Sequence, residues 1–452
     1  MSTALVILAA GMGTRMNSDL PKVLHQIAGA PMLVHAMKSG SAVEPEKLVV
    51  VAGHGAEAVT KAAKSWDERA EVVLQNDQLG TGHAVQQARD ALAGFEGDVI
   101  VLYGDTPFIQ PETIQHMAQA RQTHDVVILG FEAADPARYG RLIVSADGAL
   151  DRIVEFKDAT DEERLITLCN SGLVCADAAT LFALLDDVQN ENAAGEYYLP
   201  DVVAIARAKG LSATAVTCDE AETLGVNSRT DLAAAEAAFQ ARARADALDN
   251  GVTMTAPETV YFAHDTYVGR DTILEPNVVF GPGVTVESNS HIRAFSHLEG
   301  CHVSQRSVVG PYARLRPGAE LAEDTKVGNF VEIKNATLDA GAKVNHLSYI
   351  GDASIGARTN VGAGTITCNY DGVFKHHTTI GTDAFIGSNT MLVAPVTVGS
   401  RAMTGSGSVI TKDVPADDLG ISRARQENKT GFASKLYDML QSKKEKLKKG
   451  TQ

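Results

Sequence analysis

The chain has 452 residues, 44% of them hydrophobic but only 5% aromatic, and carries a formal net charge of −16 at pH 7. That length suggests two or three domains with aliphatic cores, and that charge argues against nucleic acid or an anionic membrane as a partner. The five cysteines (Cys169, Cys175, Cys218, Cys301, Cys368) are scattered without a CxxC pair, which argues against a zinc site or disulfide framework and fits a reducing, cytoplasmic setting. An anionic substrate would need a local basic pocket inside this acidic field, so an isolated Arg or Lys beside glycines carries information.

The chain opens on MSTALVILAAGMGTRM, an apolar run with no basic region before it and glycines directly after. It reads as a buried strand rather than a signal peptide. No apolar run is long enough to span a bilayer. Residues 4–10, 47–53, 71–75, 98–105 and 125–131 are aliphatic runs expected to be apolar on both faces, as in parallel strands covered on both sides. Helix-length segments such as 31–39 and 81–93 alternate with them. This alternation predicts a doubly wound, Rossmann-like α/β sheet that binds ligands at its C-terminal strand ends.

The segment 230–251 is rich in Ala, Arg and Glu and predicts a helix ended by Asn250-Gly251. Its apolar residues are mostly Ala, so it reads as a connecting arm. After Pro257 the period becomes six: Val268, Leu274, Phe280, Val286, Ile292 and Leu298, then, after a slip, Val309, Leu315, Leu321, Val327 and Ile333. It returns at Ile380, Ile386, Leu392 and Val398, with Thr404 in an aliphatic position before Ile410. Hexads of this kind build a left-handed parallel β-helix, three hexads to a triangular coil, with the aliphatics stacked inward. The period fails near Leu338 and over 349–355, and residues 368–378, CNYDGVFKHHT, interrupt it outright. That insertion must project as a loop, where chemistry often sits. The expected domains are 1–228, a linker helix 229–251, and a β-helix domain 252–452 ending in a short basic helix that reads as a solvated charge run.

LAAGMGTRM at the end of the first strand is neither a P-loop nor a clean dinucleotide fingerprint, because GK[ST] is absent and Met16 replaces the third glycine. Gly11 and Gly13 still bring backbone N–H groups close to an anion, a following helix N-terminus favours negative charge, and Arg15 and Lys22 add cations. Asp105, at the end of a buried strand, is a natural Mg²⁺ carboxylate. In the second half, hexad β-helices commonly belong to acyltransferases, although the fold alone does not fix function, and acyl transfer to an amine needs a general base. His346 is the candidate, because imidazole titrates near neutral pH and lies where the repeat loses its step. Arg316 and Lys334 are cations on different coils.

These strings, with QLGTGHA (78–84), YGDTP (103–107), YGR (139–141), IVEFKDAT (153–160), CNSG (169–172), GEYYLPD (195–201), GVNSR (225–229), RLRPG, GNFVEIKN, NHLSYIGD, NVGAGTITCNYDG and ISRARQ, cover nearly the whole chain. It resembles the sugar-phosphate nucleotidyltransferases, specifically the bifunctional N-acetylglucosamine-1-phosphate uridyltransferase/glucosamine-1-phosphate acetyltransferase family. The resemblance implies a UTP cradle of Leu8, Ala10, Gly11, Lys22, Gln75, Gly80, Thr81, Tyr103, Gly104 and Asp105, with Arg15 and Lys22 acting on the phosphates. It implies Mg²⁺ on Asp105 and Asn227, and N-acetylglucosamine contacts from Gly140, Glu155, Asn170 and Asn227. In the β-helix it implies His346 as catalytic base and glucosamine-1-phosphate contacts from Arg316, Lys334, Tyr349 and Asn360, with Glu332 assisting at the amine. Acetyl-CoA falls to Ala363, Asn369, Tyr370, Ser388, Ser406 and Arg423; Asn369 also matches an amine contact, and Ser406 stands where the family usually has Ala. The acetyl sites are implied to be shared between neighbouring chains of a homotrimer, and the product, UDP-N-acetylglucosamine, feeds bacterial cell wall and lipopolysaccharide. Two alternatives stand beside this: a nucleotidyltransferase whose β-helix merely trimerises, and a non-enzymatic regulator, which the intact Arg15, Lys22, Asp105 and Asn227 set disfavours.

Overall fold

The computed structural model describes residues 2–137, 139–145 and 148–449. The first residue and the last three of the expected 1–452 span lie outside the described residues. The chain divides into two compact units. The first runs to Asp249 and takes in Tyr261–Thr266 and Phe280–Gly283; the second comprises Asn250–Val260, Tyr267–Val279 and the chain from Val284 on.

The first unit is built on a sheet in the order Ala213–Cys218, Val126–Glu132, Leu168–Asp177, Asp98–Tyr103, Thr3–Ala9, Lys47–Ala52, Glu71–Leu74. Every residue of Thr3–Ala9 is buried, and the strand alternates between two cores. Val6 and Leu8 join Val49, Val51, Val99 and Val101 under the helices Thr81–Gln86, Ala178–Leu185 and Val202–Ala208. Leu5 and Ile7 join Val50, Ile100 and Leu102 under Met32–Gly40, Ala56–Trp66 and Pro111–Ala120. Each fully buried aliphatic contributes about 1.5–3 kcal/mol, so this two-sided burial fixes the central strands.

Three expectations change. The sheet is mixed: Leu168–Asp177 runs antiparallel between Asp98–Tyr103 and Val126–Glu132. The strand Glu71–Leu74 lies at the sheet's outer edge and is only half-buried, with Leu74 51% exposed, so its apolar run does not mark two covered faces. The helix expected over 81–93 is regular only over Thr81–Gln86 and continues as turns.

The long helix Arg229–Asp249 is docked against the first unit rather than being a free arm. Ala235 is buried with Ile27, Met32, Phe108 and Val226. The Ala28 N–H donates to Glu236 at 2.7 Å, and Gln240 exchanges two hydrogen bonds with the Phe262 backbone.

The second unit is a parallel β-helix. Ile273↔His291 and Phe385↔Met403 mark 18-residue coils, whereas His291↔Val308, Lys326↔Lys343 and Lys343↔Asn360 mark 17-residue coils. The one-residue deficit is the cause of the lost period. Asn360↔Phe385 spans 25 residues because the 368–378 insertion leaves the prism there. Leu274, Ile292, Val309, Val327, Val344, Val361 and Ile386 stack inside as one ladder, each 2% exposed or less. Thr404 continues that ladder, its hydroxyl satisfied by the Gly387 N–H at 3.0 Å and the Thr390 hydroxyl at 3.2 Å. The terminal helix Phe432–Lys449 is exposed along its described length.

Candidate active sites

In the first unit, Thr3–Ala9, Lys47–Ala52, Glu71–Leu74 and Asp98–Tyr103 run parallel, so their C-terminal ends lie along one edge. A cleft of about 290 Å³ opens there, lined by Leu8, Ala10, Gly11, Lys22, Gln75, Gly80, Thr81, Tyr103 and Asp105. Gly104 supports it from behind, donating its N–H to the Leu8 carbonyl at 3.0 Å. Gly80 must be glycine: its φ is +112°, its ψ is 176°, and a Cβ would sit 2.6 Å from the Tyr197 carbonyl oxygen.

Lys22 is the cation inside the cleft. Its ammonium bonds the Asp105 carboxylate and lies 3.0 Å from the Asn227 amide oxygen. The Val226 N–H donates to the Asp105 carbonyl at 3.0 Å, which ties the two oxygen donors together through the backbone. Both oxygens therefore already face one positive charge. Hard oxygen donors in this arrangement suit Mg²⁺, which is commonly held by one or two carboxylates plus substrate phosphates. No group of three or more His, Cys, Asp or Glu residues able to hold a metal occurs among the described residues.

Arg15 is placed differently from Lys22. It is exposed on a single 3₁₀ turn, Thr14–Met16, and does not line the cleft. The helix N-terminus expected after the glycines is only that turn.

Gly140, Glu155 and Asn170, the residues expected to contact the sugar, meet next to Tyr103. The Asn170 N–H donates to the Gly140 carbonyl at 2.9 Å, and the Asn170 side-chain oxygen accepts from the Gly172 N–H at 2.9 Å. Gly172 lies against the Tyr103 ring, and a Cβ on Gly140 would come 3.1 Å from Glu155 Oε1. Burial pushes the Glu155 carboxyl above the usual range, and the nearby Asp158 and Asp201 push it further. Burial likewise raises the Tyr103 phenol, which hydrogen-bonds Thr81 and feels both Asp105 and Glu155. Tyr103 thus links the cleft of Lys22 and Asp105 to the cluster of Gly140, Glu155 and Asn170.

In the β-helix, strand register lines up residues expected to hold the acyl donor. Asn329 pairs with His346, and Lys343, Asn360, Phe385 and Met403 stack coil on coil. Three residues on from those last four lie His346, Ala363, Ser388 and Ser406, so the imidazole heads one column. Arg423 closes the column, donating to the Ser406 carbonyl at 2.7 Å. His346 is exposed, and its Nδ1 lies 2.7 Å from Asn329 Oδ1.

Around the corner from His346, Glu332 pairs with Tyr349, and Lys334 with Gly351. Arg316 Nη1 donates to Glu332 at 2.7 Å. The Lys334 ammonium is held below the ordinary lysine range by Lys375 and further by Arg316, which marks a concentrated positive patch. Asn369 is 7% exposed and donates to Asp352, so its amide nitrogen is already engaged. Burial works against a charged Asp352, but the Asn335 and Asn369 amides outweigh it and hold the carboxyl below its usual range. Tyr370 is 60% exposed, at the base of the projecting hairpin, where it bridges to Lys375.

Sequence reasoning missed Gln78, whose amide donates to the Ala10 carbonyl at 2.7 Å, and Glu196, which lines the cleft. It also missed Arg141, 1% exposed, which binds the carbonyls of Pro136, Ala137, Tyr139 and Arg164. Gln78 and Arg141 stand inside the quoted strings QLGTGHA and YGR, which was the available signal.

Residues 5–172 match the MobA-like NTP transferase domain family, and residues 377–412 match the bacterial transferase hexapeptide (six repeats) family. The chain is 70% identical to the bifunctional protein GlmU of Ruegeria pomeroyi over 451 residues, covering 100% of both chains. It is 67% identical to that of Roseobacter denitrificans over 452 residues, again covering 100% of both. Against that of Paracoccus denitrificans it is 63% identical over 441 residues, 98% of each.

Proposed function

The chain belongs to the family of bifunctional GlmU proteins, and from that premise we propose how its two sites divide the work. It is a glucosamine-1-phosphate N-acetyltransferase and an N-acetylglucosamine-1-phosphate uridyltransferase. Its likeness to bifunctional relatives along the full length removes the reading in which the β-helix is only a spacer.

We assign acetyl transfer to residues 252–452. Arg316 and Lys334 seat the phosphate of glucosamine-1-phosphate, Arg as a planar fork and Lys as a point charge. Tyr349 and Asn360 hold the sugar, and the column Ala363, Ser388, Ser406 and Arg423 holds acetyl-CoA, with Asn369 and Tyr370 at the loop. The amine nitrogen attacks the thioester carbonyl, forming the C–N bond. The C–S bond breaks, His346 takes the amine proton, and coenzyme A leaves as the thiol once its sulfur is protonated.

Residues 1–228 then bind UTP and the acetylated sugar phosphate. A phosphate oxygen of N-acetylglucosamine-1-phosphate attacks the α-phosphorus of UTP. The α–β P–O bond breaks and pyrophosphate leaves, giving UDP-N-acetylglucosamine, a cell-wall precursor. Lys22 neutralises phosphate charge and holds Asp105 and Asn227 in place. Gly140, Glu155 and Asn170 orient the sugar. Mg²⁺, held by Asp105 and Asn227, would supply charge neutralisation at the transferring phosphate. Arg15, exposed on its 3₁₀ turn, meets the β- and γ-phosphates when UTP is bound.

We place the reaction in the cytoplasm. All five cysteines are unpaired, and no helix among the described residues is long and apolar enough to cross a membrane. For the acetyl site we propose a homotrimer with sites shared between neighbouring chains. An exposed ladder of Phe295, Tyr312 and Phe330, stacked at 4.9 and 5.2 Å, supports it.

The observation that carries the two-site reading is the meeting of Lys22, Asp105 and Asn227 in one cleft of the first unit, while His346 heads a separate column in the second. The test supplies glucosamine-1-phosphate, acetyl-CoA, UTP and Mg²⁺, and follows thiol and pyrophosphate together. Equal release of both is expected. Thiol release without pyrophosphate, or the reverse, from well-folded protein would overturn it.

A further inference from the structure

Resting on the assignment of His346 as general base, we infer that Asn329 is a positioning residue that selects the imidazole tautomer for acetyl transfer. The two residues end the paired strands Lys326–Asn329 and Lys343–His346, one coil apart and in register. Asn329 Oδ1 lies 2.7 Å from His346 Nδ1. An amide oxygen can only accept, so Nδ1 must carry the proton, and Nε2 keeps its lone pair for the substrate amine.

The backbone fixes this geometry from both sides. The His346 carbonyl accepts from the Gly364 N–H at 3.1 Å and the Ser348 hydroxyl at 2.8 Å, while the Asn329 carbonyl accepts from the Leu347 N–H at 3.1 Å. The imidazole is exposed, so without Asn329 the ring would be free to rotate and to exchange tautomers. The charged groups on the strands around it are Lys326, at the opposite end of the Asn329 strand, and Lys343, which pairs with it on the His346 strand; Asn360–Val361, the next coil, carries none. Around the corner stand Tyr349 and Glu332, the latter paired with Arg316. No carboxylate occurs in the strands bearing Asn329 and His346 or in Asn360–Val361, so the partner that orients the base is an uncharged amide. An amide orients the ring without adding an anion that would hold the proton after it has been taken up.

The experiment measures acetyl transfer by the full-length enzyme across pH, for Asn329→Ala, Asn329→Asp and His346→Ala. Asn329→Ala should lower kcat by about 10–100-fold, the range for groups that orient a reacting or ligating imidazole, with the KM values for both substrates unchanged. Asn329→Asp keeps an acceptor at the same place but adds a negative charge beside Nδ1–H. It should recover part of the rate, and the acid limb of kcat/KM should move to higher pH, because the base must lose its proton before it can act. Thermal melting of the β-helix unit serves as the folding control in every variant, because uridylyl transfer belongs to the other unit. If His346→Ala abolishes acetyl transfer while both Asn329 variants keep the parental rate and pH profile, this inference is overturned and the base assignment stands. If His346→Ala is fully active, the base assignment fails, and this inference with it.

Discussion

Asp105 and Asn227, far apart in sequence, meet at a single ammonium: Lys22 bonds the carboxylate of one and lies 3.0 Å from the amide oxygen of the other. Phosphoryl chemistry needs positioned charge more than a covalent nucleophile. Replacing Asp105 by Ala leaves Lys22 without its carboxylate partner and removes half of the proposed metal site. Uridylyl transfer should fall by about 10²–10³-fold or more, as when a key electrostatic group is deleted, while acetyl transfer is unchanged. Parallel pyrophosphate and thiol assays read both. Loss of both activities would undo the separation of the sites.

Gly80 occupies a backbone region that is essentially reserved for glycine. Gly80→Ala forces a Cβ toward the Tyr197 carbonyl, at a local cost of about 1–3 kcal/mol. The loop between Gln75 and Thr81 should shift, raising KM for UTP. Nucleotide titration checks this, and a parental KM would show that the loop does not shape the cleft.

Glu155 carries the pH prediction. Its folded carboxyl titrates above the ordinary value, first because it is buried and then because of Asp158 and Asp201. For such a raised group, the stabilising contribution is complete below the unfolded pKa, about 4.3 for Glu, and is lost as pH rises through the folded pKa. Glu155→Gln lacks this loss. The variant should therefore gain in Tm relative to the parent as pH rises from about 4 toward 7, even as KM for N-acetylglucosamine-1-phosphate increases by about 10-fold or more through the lost charged hydrogen bond. Parallel Tm curves across that window would contradict the assigned burial.

Much of this was legible because close approach and repetition leave marks in sequence. Aliphatics at every sixth position recorded the inward ladder, and the glycine-rich string recorded the cleft. What escaped had physical reasons. The antiparallel strand Leu168–Asp177 carries Asn170, Ser171 and Gly172 in its middle, which break the apolar run that marks the central parallel strands, and strand direction itself leaves no periodicity. The 17-residue coils remove one residue without changing which side chain points inward, so the register of His346 over Ala363 and Ser388 could be found only by stacking the coils. Arg15 lies one turn from the glycines in sequence, yet it is exposed on a 3₁₀ turn and does not line the cleft. The docking of Arg229–Asp249 combines the small apolar contact of Ala235 with Glu236 and Gln240, polar residues that a count of apolar positions passes over.

His346→Ala removes the proposed proton acceptor without touching the positive patch of Arg316, Lys334 and Lys375. Acetyl transfer should drop by roughly 10²–10⁴-fold, the usual contribution of a general base, with uridylyl transfer intact. Thiol release at saturating substrates is the measurement, and an unchanged rate would take His346 out of that role.

Phe295, Tyr312 and Phe330 stack outward along one corner, continued by Leu347 next to His346, and all four have positive φ between 52° and 61°. That backbone costs a non-glycine residue about 1–2 kcal/mol, and all four side chains are about half exposed or more in the single chain. The same left-handed backbone recurs at other corners on Asp, Asn and Arg residues, so what marks this corner is its contiguous exposed apolar ladder, which a subunit interface would cover. Placing a charge in its middle, Tyr312→Asp, should dissociate the proposed trimer, seen as a smaller species in sedimentation, and acetyl transfer should fall with it. Uridylyl transfer, confined to the other unit, should persist in the dissociated protein. A dissociated variant with full acetyl activity would show that each prism completes its own site, and a trimer that survives the charge would move the interface to another face.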